Sequence, residues 1–180
     1  MKKNTYLIPI FLLFCNINIA QISQNLDFRF GIGSSKNFNF DGISLNLQNE
    51  LNLKISKNFS TSYTLDLGSN FAKFDKILYF SNNINIFLHP FKDKNNFNFR
   101  VGSGISKQFI IEKILNYTSV NGIKTEFIET TYYSPIGFNL IFENTFEIDQ
   151  LRFSPKLFGQ FYNENNINIG LIFSTILKFK

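Results

Sequence analysis

Strict alternation of apolar and polar residues limits what this chain can fold into more than any other feature of its sequence. The last stretch, "NINIGLIFSTILKFK" (Asn166–Lys180), places an apolar side chain at nearly every second position, and Thr175 interrupts the row. A repeat of two residues is typical of a β-strand with one apolar and one polar face. The same repeat occurs in seven earlier segments. The eight predicted strands are Leu26–Ser34, Ile43–Ser56, Phe59–Ser69, Leu78–His89, Phe97–Lys107, Ile136–Phe146, Leu151–Phe161 and Asn166–Lys180.

The composition agrees with this interleaving of polarity. The chain has 24 Phe and seven Tyr, yet only 17% of its residues are charged and its mean hydropathy is close to zero. Apart from Lys107, which ends the fifth strand, the apolar faces of the predicted strands carry no charged residue, whereas the opposite faces carry Gly, Ser, Asn and the other charged residues. Alternation alone leaves open whether the apolar faces meet a protein core or lipid.

The first twenty residues predict export. "MKKNTYLIPIFLLFCNINIA" has a basic start, an apolar stretch and a small residue, Ala20, before a plausible cleavage point. We therefore interpret residues 1–20 as a signal peptide and residues 21–180 as one domain. The single Cys, Cys15, lies inside the apolar stretch, so a framework of disulfides is not expected.

Three features favour lipid over a protein core. The apolar faces are long enough for strands that span a membrane, which need about 9–11 residues each; the number of strands is even; and the chain is predicted to be exported. In hydrocarbon an open sheet edge would leave backbone groups unpaired, so the strands should close into a barrel. The alternative is a soluble, lipocalin-like ligand carrier with its apolar face inward. Such barrels usually carry a Trp near the start, and this chain has no Trp.

The export signal, the eight alternating strands and the "LIFSTILKFK" terminus resemble the small eight-stranded outer-membrane barrels of Gram-negative bacteria, the OmpA/OmpX-type group. The resemblance implies an all-β, antiparallel, up-and-down transmembrane barrel in the cell outer membrane, in contact with its lipid, with both termini facing the periplasm. It also implies that the barrel-assembly machinery reads an aromatic residue at the end of the chain. Here that residue is Phe179, and Lys180 follows it.

The inward faces of such a barrel would hold five positive and three negative side chains. These residues are Arg29, Glu50, Lys54, Asp66, Arg100, Glu143, Arg152 and Lys156. Unpaired buried charge is costly, so we expect them to form a polar network. An eight-stranded barrel is just wide enough for its side chains to fill. The network is therefore interpreted as a structural plug, and a narrow passive channel is the alternative.

The fifth connection, Gln108 to Tyr133, is the longest and falls at the end opposite the termini. "VNGI" at its middle places Asn-Gly in a typical hairpin turn, and both flanks can continue as strands. We predict an extracellular hairpin flap across residues 108–133. Its candidate contact residues for an extracellular protein or surface partner are Tyr117, Val120, Ile123 and Phe127. Tyr132 and Tyr133, at its base, are interpreted as aromatic belt residues.

The sequence offers little for catalysis. The only histidine, His89, precedes Pro90 in a predicted periplasmic turn, and the predicted mature chain has neither a Cys nucleophile nor a cluster of metal ligands. No cofactor is expected. The net charge of +5 is modest and the Lys and Arg residues are scattered, which argues against nucleic acid as a partner. The sequence predicts a non-enzymatic structural or surface-binding protein; an accessory role in secretion or assembly is a further alternative.

Overall fold

The computed structural model describes residues 25–39, 42–71, 75–91, 97–120, 123–148, 151–163 and 166–178. The predicted signal peptide and Phe179 lie outside these residues. The described part consists of nine β-strands. They are β1 (Leu26–Asn37), β2 (Ser44–Lys54), β3 (Phe59–Phe71), β4 (Asp75–Leu88), β5 (Phe97–Val120), β6 (Ile123–Tyr133), β7 (Ile136–Ile148), β8 (Leu151–Tyr162) and β9 (Ile167–Lys178).

Eight of these strands close into a barrel in which every neighbouring pair is antiparallel. The order around the wall is β1-β2-β3-β4-β5-β7-β8-β9, and β9 pairs with β1 to complete the ring. In the closing pair Ile32 lies opposite Phe173, and on its other side Ile32 lies opposite Leu47. The predicted eight-stranded up-and-down barrel is confirmed. Closure gives each barrel strand two partners, so the wall has no open edge.

The ninth strand, β6, is an extension of the wall. The first half of β5 pairs with β7, from Phe97 to Lys107, while its second half pairs with β6, from Ile110 to Val120. Ser134 and Pro135 separate β6 from β7. Among the described residues, no helix is long and apolar enough to cross a membrane.

The alternation of polar and apolar residues along each strand corresponds to the inner and outer surfaces of the barrel. Side chains on the polar face point into the lumen and are buried, as Asn46, Gln48 and Glu50 are along β2. Side chains on the apolar face are exposed around the whole wall, as Leu45 and Leu47 are on the same strand. A soluble barrel would reverse this arrangement, so the lipocalin-like alternative is wrong. An apolar belt around a closed wall is the arrangement of a transmembrane barrel.

Apolar side chains also occupy part of the lumen, which the alternation did not predict. One buried layer consists of Phe87, Ile141, Phe158 and Ile172, and a second consists of Ile77, Tyr79 and Ile110. Glycines on neighbouring strands make room for the rings. Gly102 lies opposite Phe87, and Gly170 lies opposite Phe158; a methyl group at either glycine would overlap the facing ring. The lumen is therefore filled from wall to wall at this level.

Candidate functional site

Five of the charged side chains predicted for the interior meet in one buried cluster, which we name the lumen cluster. It consists of Arg29 from β1, Glu50 from β2, Arg100 from β5, Glu143 from β7 and Lys156 from β8. Each side chain occupies an inward position of its strand, and closure of the wall brings the five together. Arg29 and Glu143, for example, pair across 114 positions of the sequence.

In the lumen cluster two carboxylates lie among three cations. Arg100 Nη2 is 2.5 Å from Glu50 Oε1 and 2.6 Å from Glu143 Oε2. Arg29 Nη1 pairs with Glu143 Oε1, and its Nε is 3.7 Å from Glu50 Oε1. Lys156 Nζ pairs with Glu50 Oε2 and is 3.5 Å from Glu143 Oε2. Hydrogen bonds between charged partners are stronger than neutral ones, so the cluster ties five strands together across the lumen.

Neutral neighbours provide further contacts to the cations. Arg100 Nη1 donates to Asn52 Oδ1 at 2.7 Å, and its guanidinium carbon lies 3.9 Å from the centroid of the Phe87 ring. Lys156 Nζ donates to Gln48 Oε1 at 2.5 Å. The negative face of the Phe87 ring attracts the guanidinium, and this cation–π attraction is stronger because the site is buried. The cluster and the apolar layer around Phe87 are thus one continuous plug.

The other three predicted members of the network lie outside the lumen cluster. Asp66 is buried among amides and accepts from Gln48 Nε2 at 2.6 Å and from Asn83 Nδ2 at 2.5 Å. Lys54 ends β2 and is exposed. Arg152 is partly exposed and pairs with Glu147 at 2.6 Å. Lys54 and Arg152 have the inward parity, but each lies near a strand end where the lumen opens to water. The network is therefore smaller than the sequence indicated.

A histidine-centred contact occurs at the end of the barrel that holds the termini. His89 Nε2 lies 2.9 Å from Ser60 Oγ, and His89 Nδ1 lies 3.3 Å from Asn98 Oδ1. Burial lowers the pKa of His89, which favours the neutral ring. This connectivity is that of a nucleophile, a base and an orienting amide, and no spacing in the sequence pointed to it. Ser60 is only 1% exposed, however, so a substrate could not reach its hydroxyl. We interpret the contact as a structural link between β3, β4 and β5.

The opposite end of the barrel carries the hairpin of β5 and β6. The two strands pair in register from Ile110 opposite Tyr133 to Val120 opposite Ile123. In the barrel wall, buried and exposed residues alternate, but residues 125–130 of β6 are all exposed. Both faces of this segment therefore meet solvent. Eleven paired residues at about 3.3 Å each give the hairpin a length of roughly 35 Å.

The candidate contact residues of the hairpin do not share one face. Tyr117 is 53% exposed and lies on the face that continues the outer surface of the barrel, while Phe127, 45% exposed, lies on the opposite face. Val120 and Ile123 form the last pair of the ladder, and their side chains lie outside the described part. Ile128, which the sequence analysis did not select, is exposed beside Tyr117 on the outer face.

The charged groups of the described residues do not form a metal site. No group of three or more His, Cys, Asp or Glu side chains there is close enough to hold a metal ion. The carboxylates of the lumen cluster are instead occupied by Arg and Lys partners.

Comparisons with known proteins give the fold through structure rather than through sequence. No family model matches the chain, and no curated protein matches it. Among solved structures, Neisserial surface protein A matches with a TM-score of 0.61 and 9% identity, covering 86% of this chain and 96% of that one. A major outer membrane protein from Thermus thermophilus matches with a TM-score of 0.61 and 8% identity, covering 84% and 99%.

A third solved structure is the attachment invasion locus protein Ail of Yersinia pestis. It matches with a TM-score of 0.52 and 5% identity, covering 85% of this chain and 97% of that one. At these identities the likeness shows a shared architecture. The architecture common to them is the small eight-stranded barrel of bacterial outer membranes.

Proposed function

We propose that this chain, which has the fold of the small eight-stranded outer-membrane barrels, is a non-enzymatic surface protein anchored in the outer membrane. In this proposal the barrel is a rigid, plugged anchor in lipid, and the β5–β6 hairpin is a contact site for an extracellular protein. The observation that carries the proposal is the free edge of β6. Among the described strands β6 pairs with β5 alone, while every strand of the wall has two partners.

The proposed orientation of the barrel in the membrane follows from its even number of wall strands. Eight antiparallel wall strands return the chain to the end where it began, so Leu26 and Lys178 lie at the same end of the barrel. The hairpin leaves the wall at the other end. In outer-membrane barrels short turns face the periplasm and longer loops face outside. The turn between β2 and β3 is tight, since Ser56 N–H donates to Phe59 O at 3.0 Å. This supports an inner position for the termini and an outer position for the hairpin.

A free strand edge is suited to a partner that presents an extended segment. Unpaired N–H and C=O groups along such an edge can accept an added strand, and side chains on the two faces then give specificity. Exposed apolar side chains flank the edge of β6, among them Phe127 and Ile128. Ail is named as an attachment protein, and the shared fold supports a comparable use of the outer end here.

The contents of the lumen favour an anchor over a narrow channel. The lumen cluster crosses the barrel between five strands, and the Phe87 layer fills the space beside it. A water path would have to separate these buried ion pairs. The alternative of an accessory in secretion or assembly rests on the periplasmic turns. We further propose that Phe179 serves as the signal for the barrel-assembly machinery.

The proposed orientation predicts which cysteines a large thiol reagent can reach. Cys15 belongs to the predicted signal peptide, so an introduced cysteine would be the one thiol of the mature chain. We expect Thr125→Cys, in β6, to react with a large maleimide-tagged polymer on intact cells, because the polymer does not cross the outer membrane. The matched variant Asn58→Cys, in the exposed β2–β3 turn, should react only after permeabilisation. The reverse pattern would contradict the orientation, and no labelling of either intact strain would contradict surface location.

The proposed contact site predicts where a partner can be trapped. A photo-reactive amino acid in place of Tyr117 or Phe127 should give a discrete cross-linked adduct on cells exposed to the protein's natural surroundings. The same group in place of Ile105, which lies on the lipid-facing side of the same strand as Tyr117, should give none. A variant in which Asn-Gly replaces residues 115–128 should keep the barrel, seen as a migration shift on heating, and lose attachment to the partner. Equal attachment by this variant would contradict the contact role of the hairpin.

A further inference from the structure

A pocket of about 580 Å³ opens at the outer end of the barrel, beside the base of the hairpin. It includes the last two residues of β6, Tyr132 and Tyr133, and shares no residue with the lumen cluster. The residues that line it are Asn39, Ile110, Tyr132, Tyr133, Ser134, Pro135, Ile136, Asn163 and Asn166. Ile110 lies within β5, Tyr132 and Tyr133 end β6, Ile136 begins β7, and the other lining residues lie in the connections between strands. The volume lies within the range of about 300–1,000 Å³ that is usual for pockets that bind small molecules.

The described lining of the pocket combines polar and apolar groups. It combines two phenol rings, three side-chain amides, one hydroxyl and an apolar patch, and none of the described side chains that line the pocket is charged. Glu112, a buried residue of β5, interacts with the Tyr133 hydroxyl and raises the pKa of that phenol. The Glu112 carboxylate and the lack of a cation among the described lining residues disfavour an anionic ligand. The lining therefore suits a ligand that is neutral, has many hydroxyl groups and carries an apolar face.

Hydrogen bonds fix the polar side of the pocket. Asn166 is buried, and its Oδ1 accepts from Asn37 Nδ2 at 2.7 Å. Asn37 Oδ1 in turn accepts from the backbone N–H of Asn39 at 2.9 Å. The backbone carbonyl of Asn166 accepts from the N–H of Tyr162 at 2.8 Å. These bonds hold the amide in place before any ligand arrives, and preorganised sites lose less entropy on binding.

We propose that this pocket binds a neutral saccharide. A planar amide offers a donor and an acceptor side by side, which matches neighbouring sugar hydroxyls. The C–H face of a pyranose ring is apolar and packs against an aromatic ring, as the phenol of Tyr132, 73% exposed, allows. The proposal rests on the proposed function in one respect: the outward orientation decides that the pocket meets glycans outside the cell.

Binding can be measured on the purified full-length barrel in a detergent without a sugar head group. The probe is chitotriose, a neutral trisaccharide, and saturation-transfer NMR measures its binding. A sulfated trisaccharide of equal length serves as the charged comparison. We expect saturable binding of chitotriose, weaker binding of the sulfated probe, and a loss of affinity of about tenfold in Tyr132→Ala and in Asn163→Ala. Tyr117→Ala is the matched control, because Tyr117 is an exposed hairpin tyrosine that does not line the pocket; its affinity should not change.

Several outcomes would overturn the saccharide site. They are failure of chitotriose and of a second neutral probe, maltotriose, to bind; tighter binding of the sulfated probe; and equal affinity in the pocket variants and Tyr117→Ala. A neutral oligosaccharide released from the lipopolysaccharide of the same bacterium distinguishes the source. Displacement of chitotriose by it supports a sugar of the same membrane, and binding of chitotriose without displacement supports an external glycan. Because the assay uses purified protein, its failure would leave the surface labelling of Thr125→Cys unaffected.

Discussion

Replacement of Glu143 by Gln is expected to destabilise the barrel by about 3–5 kcal/mol, the usual cost of removing one partner from a buried ion pair. Glu143 contacts Arg29, Arg100 and Lys156, and after the substitution Glu50 would be the one carboxylate left within the lumen cluster, with Asp27 3.7 Å from Arg29 at its edge. The measurement is urea unfolding of the barrel in lipid vesicles, followed by the heat-dependent shift in gel migration.

A matched control lies on the same strand. Glu147 is also in β7, but its pair with Arg152 is partly exposed, with side-chain exposures of 26% for Arg152 and 39% for Glu147. Glu147→Gln should cost no more than about 1 kcal/mol, because water screens exposed pairs. Equal losses for the two variants would contradict a special role for the lumen cluster.

A second variant tests whether charge balance is the cause. Arg29→Gln combined with Glu143→Gln removes one cation together with one carboxylate. Because the two side chains are in contact, their effects should not add, and the double variant should lose less stability than the sum of the two single variants. Simple additivity would indicate that packing rather than charge sets the stability of the plug.

An arginine in place of Phe173 is expected to destabilise the barrel in membranes by about 2–4 kcal/mol, the cost of a cation on the lipid face near the bilayer midplane. Phe173 lies near the middle of β9, on the outer surface, and is 59% exposed in the structure. Its neighbour Ile172 points the other way, into the buried apolar layer. The same vesicle unfolding experiment measures the effect.

The position of the charge supplies the control. Leu151 is also exposed on the outer surface, but it begins β8, where the wall nears the membrane surface. Leu151→Arg should therefore cost about 0–1 kcal/mol. If Phe173→Arg instead gave a stable protein that needed no detergent, the outer surface would face water and the transmembrane assignment would fail.

The barrel wall with its plug and the hairpin differ in how many contacts constrain them. In the barrel, ion pairs of the lumen cluster join five wall strands across the lumen. The hairpin beyond them has solvent on both faces and one free edge. A rigid scaffold that presents a less constrained element is a common arrangement in binding proteins. Both the proposed partner contact and the proposed saccharide pocket lie at the end of the barrel that carries the hairpin.

The sequence by itself determined the strands and their two faces. The side-chain period of a strand is two, so alternating polarity in "NINIGLIFSTILKFK" sets the faces of β9 before any tertiary contact forms. The even number of such strands and their long apolar faces, together with the predicted export signal, led to the prediction of a closed barrel. The inward parity of Glu50, Arg100 and Glu143 followed from the same rule.

Only the tertiary structure decided which inward residues meet. Lys54 and Arg152 occupy alternate positions that point inward, but both lie near the end of a strand and are in contact with water. How far along the barrel axis a residue lies depends on the register between strands. Phe87 and Phe158 have inward parity too, yet the pattern could not show that Gly102 and Gly170 on neighbouring strands make room for their rings. Contacts such as Arg29 with Glu143 join distant parts of the chain, and closure of the wall creates them. Local periodicity therefore fixes the direction of a side chain, while its partners depend on how the whole sheet closes.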